Sequence, residues 1–223
     1  MASLLMKNQQ LAVKAILLDL DGTIVDSRIA YLEAVKAAFA ATGQRTVDIN
    51  IVTEIPKRIE QSLPIDDLLN GLNVKEFLKI YLDAYYRVAK EKTKPMPSIS
   101  QTLERLSTKA KLALITMRHV SNEKVVDELE RFGLARYFQI VVTALDTSRP
   151  KPSPDAVIRC ATALGVQLDE CVVVGDSVTD VRAGKSAGTM TVAVLSGIFS
   201  RKELAAEKPD LILESVSMLP DFI

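Results

Sequence analysis

The stretch AILLDLDGTIVDS, residues 15–27, runs an apolar strand directly into carboxylates. Ala15 to Leu18 have the length and character of a buried β-strand. Asp19 and Asp21 follow with only Leu20 between them, and Gly22 and Thr23 come next. Residues two apart on a strand share a face, so the two carboxylates converge where the strand ends. An ionised carboxylate is costly to bury without a partner. Two at one strand end imply something that holds them or uses them. Gly22 lets the chain turn sharply there. The plain alternative is an Asp- and Gly-rich turn after a strand, and the stretch alone divides evenly between the two.

Outward from this stretch, apolar runs of strand length alternate with helical patterns. The strand candidates are Val13–Leu18, Lys111–Met117, Gln139–Thr143, Cys171–Gly175, Met190–Val194 and Leu211–Leu213. Ser121 is placed to cap a helix with Val125, Val126, Leu129 and Phe132 on one face and Gly133 as its stop. Ser153 is placed to cap another, with Pro154 at its first position and Gly165 at its end. Near-continuous apolar strands alternating with helices predict a doubly wound, Rossmann-like α/β fold with a parallel sheet covered on both faces. Ligands of such sheets sit at the carboxyl ends of the strands, where Asp19 and Asp21 fall.

From about Ile29 to Thr93 the alternation stops and helical patterns take over. RIAYLEAVKAAFAATG reads as an amphipathic helix with a Gly stop, and DDLLNGLNVKEFLKIYLDAYYRVAKE as two more helices around Gly71. This is too long for a simple crossover and reads as an inserted all-helical cap. The expected division is a core of residues 1–27 and 98–223 and a cap of residues 28–97.

Composition sets the outer limits. A chain of 223 residues that is 48% hydrophobic and 25% charged has the material for a real core. Its 28 basic and 28 acidic residues balance, so no basic excess points to nucleic acid or an anionic membrane. MASLLMKNQQLAVK carries neither a signal-peptide core nor a spanning helix, which favours the cytoplasm. Cys160 and Cys171 fit no metal spacing and read as reduced core thiols.

Four pieces of chemistry fall at strand ends. Asp19 and Asp21 are the first. Thr116 ends a strand in LALITMRHVS, where a hydroxyl and following N–H groups can hold an anion. Lys151 sits between Pro150 and Pro152 in SRPKPSPD, a stiff loop that presents a point charge suited to phosphate. Asp176 and Asp180, in VVVGDSVTDVRAGKSAG, offer oxygen ligands to a hard cation such as Mg2+. Each has an ordinary counterpart: a turn, a cap, a solvated lysine. Parallel strands gather all four into one crevice, and acids with a cation, a lysine and a hydroxyl suit phosphoryl transfer.

In these motifs the sequence resembles the haloacid dehalogenase-like superfamily, and within it the helically capped, phosphoglycolate phosphatase-like branch. The family pattern of DxDGT, a strand-end Ser or Thr, a Lys and GDxxxD reads here as Asp19 to Thr23, Thr116, Lys151 and Gly175 to Asp180. The resemblance spans residues 13 to about 200. It implies a Mg2+-dependent phosphatase acting on a small phosphorylated metabolite, with phosphoglycolate the named candidate, through an aspartyl-phosphate. Asp19 is implied as nucleophile, and Asp21 as the acid that protonates the leaving group and then activates water. Thr116 and the Met117 backbone are implied to bind the phosphoryl oxygens, with Lys151 neutralising Asp19 and the phosphate. Asp19, Asp21 through its carbonyl, Asp176 and Asp180 are implied as the metal set.

Met117 and Arg118 depart from the family pattern, which often has Asn after the hydroxyl residue; Arg118 becomes a candidate for a substrate anion and His119 a bystander. Asp21 is expected to carry a proton when the leaving group departs, favoured by neighbouring acids. Arg28, Lys57 and Arg58 are the cap cations, and Tyr81, Tyr85 and Tyr86 read as core or interface. A β-phosphoglucomutase-like sugar phosphomutase stays open, as does a non-hydrolytic phosphate-binding or signalling protein; monomer and homodimer are equally open.

Overall fold

The structure is a computed structural model and describes residues 12–43 and 48–223. The N-terminal segment read for targeting signals lies, through residue 11, outside the described residues. The chain divides into two compact units: the segment up to Ile24 with Pro95–Ile223, and Val25–Lys94.

The first unit is built on six parallel strands. They are β1 (Ala15–Asp19), β4 (Lys111–Ile115), β5 (Ile140–Val142), β6 (Cys171–Gly175), β7 (Met190–Val194) and β8 (Leu211–Leu213). Their order is β5-β4-β1-β6-β7-β8, with every neighbouring pair parallel. This is the doubly wound α/β sheet expected from the alternation of apolar runs and helices. β1 is central and buried along its whole length. Alternation splits it: Ala15 and Leu17 join Ala113, Ile115, Val142 and Val173 in one cluster, under Val157, Cys160 and Leu164 of the helix Asp155–Leu164. Ile16 and Leu18 therefore face the other side. Asp19 has the parity of Ala15 and Leu17, so its carboxylate leaves the sheet on the face that this helix covers.

β1, β4 and β5 are shorter than the apolar runs suggested. β4 stops at Ile115, two residues before the expected end, although the Thr116 N–H still donates to the Val142 carbonyl at 2.9 Å. β1 extends one residue further than expected, and Asp19 pairs in register with Ile115. Asp19 is thus the last ladder residue and Thr116 the first beyond it on the neighbouring strand.

The helices of this unit are α4 (Ile99–Ser107), α5 (Asn122–Arg131), α6 (Asp155–Leu164), α7 (Val178–Ala187) and α8 (Arg201–Ala206). Ser121 occupies the flanking position of α5 as expected, but its side chain makes no cap hydrogen bond to the first turn. α6 begins one residue later than the sequence suggested: Pro154 is the flanking residue, and the Ser153 hydroxyl accepts from the Asp155 N–H at 3.4 Å. Gly165 ends α6 in the left-handed conformation, φ 65°, which a glycine adopts without strain.

The second unit holds α1 (Arg28–Ala41), α2 (Ile49–Glu60) and α3 (Val74–Lys92). Two short strands, β2 (Val25–Asp26) and β3 (Lys94–Pro95), pair where the chain enters and leaves it. Its core packs Ala30, Ala34, Ala38 and Phe39 of α1 against Phe77, Tyr81, Ala84 and Tyr85 of α3. The expected helix before Gly71 is only a 3₁₀ turn, Asp66–Leu68. Pro64 and Gly71, the latter at φ 83°, leave too little chain for an α-helix. α2, which carries Pro56 internally, was not singled out from the sequence. Tyr81 and Tyr85 are buried and their rings stack at 6.3 Å. Arg28 is paired with Asp26, and Arg58 with Glu54 and Asp67.

Candidate active site

The site lies at the carboxyl end of β1, where three neighbouring segments arrive. Asp19 ends β1, Thr116 follows β4 and Asp176 follows β6. Lys151 comes from the loop between β5 and α6 and is 3% exposed. A lysine so deeply buried needs anionic partners, and it has two. Its ammonium donates to Asp19 Oδ1 at 2.7 Å and to Asp180 Oδ1 at 2.5 Å. The solvated-lysine reading is therefore excluded.

α7 begins on this cluster. Ser177 flanks its first turn and accepts from the N–H groups of Thr179 and Asp180, while the Asp180 carboxylate accepts from the Ser177 N–H at 3.1 Å. This reciprocal cap satisfies donors that a helix start leaves open. Asp180 thus caps the helix with one oxygen and receives Lys151 with the other. Gly175 is required beside it, because a β-carbon there would overlap the Asp180 carboxyl.

Asp176 is enclosed by backbone. A β-carbon on Gly22 would come within 2.5 Å of Asp176 Oδ2, and one on Gly197 would overlap the same atom. Gly22 also has φ 84°, so the turn after Asp21 needs glycine for its conformation and for its space. The Ser196 hydroxyl donates to the Gly22 carbonyl at 2.7 Å and ties the loop after β7 to that turn. Thr23 Oγ1 donates to Asp176 Oδ1 at 3.4 Å.

Asp19, Asp176 and Asp180 each present an oxygen within 4.8 Å of the others. Burial pushes the Asp19 carboxyl well above its ordinary value; Lys151 opposes this, while Asp180 and Asp21 reinforce it. Three carboxyl groups thus face a single ammonium. Hard oxygen donors at this spacing, in a cradle free of β-carbons, fit a divalent cation of the Mg2+ type.

The Asp21 carboxylate is outside that cluster. It accepts two parallel bonds from Arg118, Nε to Oδ2 and Nη2 to Oδ1, both 2.7 Å. Arg118 is 6% exposed, and its Nη1 donates to Glu128 Oε2 of α5 at 2.5 Å. Where the sequence suggested that Arg118 would reach a substrate anion, the structure places three of its guanidinium N–H donors on two carboxylates of its own chain. The neighbours of Asp21 are likewise not only acids, since the Arg118 guanidinium is paired with it. Thr116 Oγ1 accepts from the Arg118 N–H at 3.2 Å, so Thr116 shapes this loop as well as flanking the site. Met117 lies half-buried between them, and His119 is exposed.

Glu128, Ser196 and Gly197 were missed from the sequence. Glu128 left a signal: it falls on the buried side of α5 with Val125 and Leu129, whereas Val126 and Phe132 are only half-buried. Ser196 and Gly197 left none beyond their place after an apolar strand. Cys160 and Cys171 are free and buried, and burial pushes their thiols up to about 12 and about 11.

Comparison with known proteins bears on this arrangement. The profile of the haloacid dehalogenase-like hydrolase family matches residues 16–194. A phosphoglycolate phosphatase of Escherichia coli (strain K12) is 29% identical over 231 residues, covering 93% of this chain and 91% of the relative. Among solved structures, a haloacid dehalogenase-like family hydrolase from Streptococcus pneumoniae superposes with a TM-score of 0.77 at 21% identity, covering 93% of this chain and 97% of that one. A Thermotoga maritima protein assigned as a β-phosphoglucomutase gives 0.69 at 24% identity, with 94% and 97% coverage. At these identities the two structures speak to the fold alone.

Proposed function

Because the chain belongs to the haloacid dehalogenase-like hydrolase family, we propose that it is a Mg2+-dependent phosphatase that hydrolyses a small phosphorylated metabolite through an aspartyl-phosphate, with phosphoglycolate the first candidate. It is a phosphoric monoester hydrolase and a homologue of phosphoglycolate phosphatases. The observation that carries the finer reading is the buried Lys151 between Asp19 and Asp180, beside Asp176.

Asp19 attacks phosphorus with a carboxylate oxygen, and the bond from phosphorus to the leaving oxygen breaks. Asp21 gives that oxygen its proton. Lys151 holds the Asp19 carboxylate by 2.7 Å contact and offsets negative charge that gathers as the phosphate approaches. Thr116 and the Met117 N–H bind the phosphoryl oxygens at the end of β4. In the second step Asp21 takes a proton from water, the water oxygen bonds to phosphorus, and the bond to Asp19 breaks. Inorganic phosphate leaves and both aspartates regain their starting forms. Asp19, Asp176 and Asp180, with the Asp21 carbonyl, would hold a divalent cation, which would supply positive charge to the phosphate oxygens.

Phosphate release is to be measured over glycolate, sugar and nucleotide phosphates and pyrophosphate, with Mg2+ and with EDTA. Mg2+-dependent release is expected for at least one ester. Asp19→Asn is expected to abolish turnover while substrate and Mg2+ still bind. EDTA-resistant activity, or full activity in that variant, would overturn the assignment. A sugar phosphate that isomerises without releasing phosphate would favour a phosphomutase.

A further inference from the structure

Beside the cation cluster stands a second charged group: Asp21, Arg118 and Glu128. Its geometry differs in kind from the first. Lys151 is a point charge shared between two carboxylates, whereas Arg118 meets Asp21 as a planar fork. Two parallel N–H bonds of 2.7 Å fix both Asp21 oxygens at once. The fork is itself anchored, since Nη1 is held by Glu128 Oε2 at 2.5 Å. Glu128 projects from α5 between the buried Val125 and Leu129 and is 6% exposed. Its other oxygen, Oε1, is buried with no hydrogen-bond partner among the described residues. A chain that buries a carboxylate with one oxygen unsatisfied bears a cost, and the Arg118 contact is what Glu128 gains for it.

We propose that Arg118, anchored by Glu128, is the positioning residue for the proton-transfer group Asp21. The inference rests on the aspartyl-phosphate reading above and adds a role to it. Asp21 must direct a proton first to a leaving oxygen and then from a water. Each transfer requires the carboxyl oxygen within hydrogen-bond reach and correctly oriented. A lone aspartate after a glycine turn has freedom about its side-chain torsions; the Arg118 fork removes it. The fork can hold Asp21 in either protonation state, because a protonated carboxyl keeps acceptor capacity on both oxygens. The fork side of Arg118 faces Asp21 and its Nη1 faces Glu128, in a side chain that is 6% exposed, which sets it to serve Asp21 rather than the substrate anion. Its own place is fixed from two sides, by Glu128 at the guanidinium and by Thr116 Oγ1 at its N–H.

The test uses the leaving group as a ruler. Proton donation matters for an alkyl phosphate, whose alkoxide is a poor leaving group, and little for 4-nitrophenyl phosphate, whose phenolate departs without a proton. Arg118→Lys keeps the charge but cannot form the fork. It is to be compared with the unaltered protein in the rate at which the alcohol or phenol is released in the first turnover, before the shared hydrolysis of the aspartyl-phosphate, on both ester types, with Mg2+ affinity measured alongside. The expected result is a loss of about 100-fold on the alkyl ester. On the aryl ester the loss should be under about 3-fold, with KM and Mg2+ affinity little changed. Equal losses on both esters would overturn the inference and leave Arg118 a structural residue. A raised KM with unchanged kcat would overturn it in favour of substrate binding. If Arg118→Lys does not fold, Glu128→Gln carries the same test, with a smaller loss expected in the same leaving-group order. Failure of the unaltered protein to release phosphate from any ester would strike the underlying phosphatase reading instead.

Discussion

At the scale of single residues, the site is shaped as much by missing side chains as by those present. Gly197 lies 21 residues beyond Asp176 in sequence, yet the Asp176 carboxyl occupies the place a β-carbon would take. Gly197→Ala is therefore expected to displace Asp176 and weaken Mg2+ binding by roughly 10- to 100-fold, as changes that disorient a metal ligand do. Calorimetric titration with Mg2+ measures this, and an unchanged affinity would remove Asp176 from the cation set. The reading of Asp19, Lys151 and Asp176 from the sequence needed only strand ends and motif spacing. Arg118 resisted that reading because an arginine at a loop start is ordinary; its meaning depends on a carboxylate 97 residues away.

At the scale of elements, legibility followed the local signal. Strands with near-continuous apolar residues were placed to within a few residues, and β6, β7 and β8 matched their apolar runs end to end. α2 escaped because Pro56 inside it is an argument against a helix. The turn at Asp66–Leu68 was overread because DDLLN has helical residues without helical length. α3 and α1 pack face to face, and their contact includes the edge-to-face pair Phe39–Phe77, with ring centroids 4.9 Å apart. Both rings are fully buried. Phe77→Ala is expected to cost about 3–5 kcal/mol of unfolding free energy through lost contact and the cavity left behind. Urea denaturation reads this directly, and a change under about 1 kcal/mol would mean that the two helices repack.

At the scale of the whole molecule, the buried acids tie stability to metal and to pH. A cation bound only by the folded chain stabilises it by about 2.7 kcal/mol when present at 100 times its dissociation constant. Mg2+ is expected to raise the melting temperature and EDTA to reverse this. Asp19 adds a pH dependence whose sign is fixed. Its carboxyl lies well above the ordinary 3.8 in the folded chain, chiefly through burial. Without metal, the stability it contributes is full below the unfolded value and is lost as pH rises through the raised folded value. With Mg2+, protection should instead grow with pH, because the cation binds the carboxylate form. Melting temperatures across about pH 5 to 8, with Mg2+ and with EDTA, should diverge as pH rises. Parallel curves would show that Asp19 does not bind the cation.

The sequence by itself determined the parallel α/β sheet, the helical character of the segment between its first two long strands, and the four motif positions at strand ends. These follow from signals carried by neighbours in the chain: apolar runs, glycines at turns, and carboxylates two or four apart. Only the tertiary structure decided who partners whom. It gave Asp180 to both a helix cap and Lys151, gave the Asp21 carboxylate to Arg118, and brought Glu128 and Gly197 into the site. The physical reason is that such pairings are set by strand register and by the paths of separate loops. Two charges 97 residues apart find one another only after the sheet has placed both strand ends side by side, and no local pattern records that meeting.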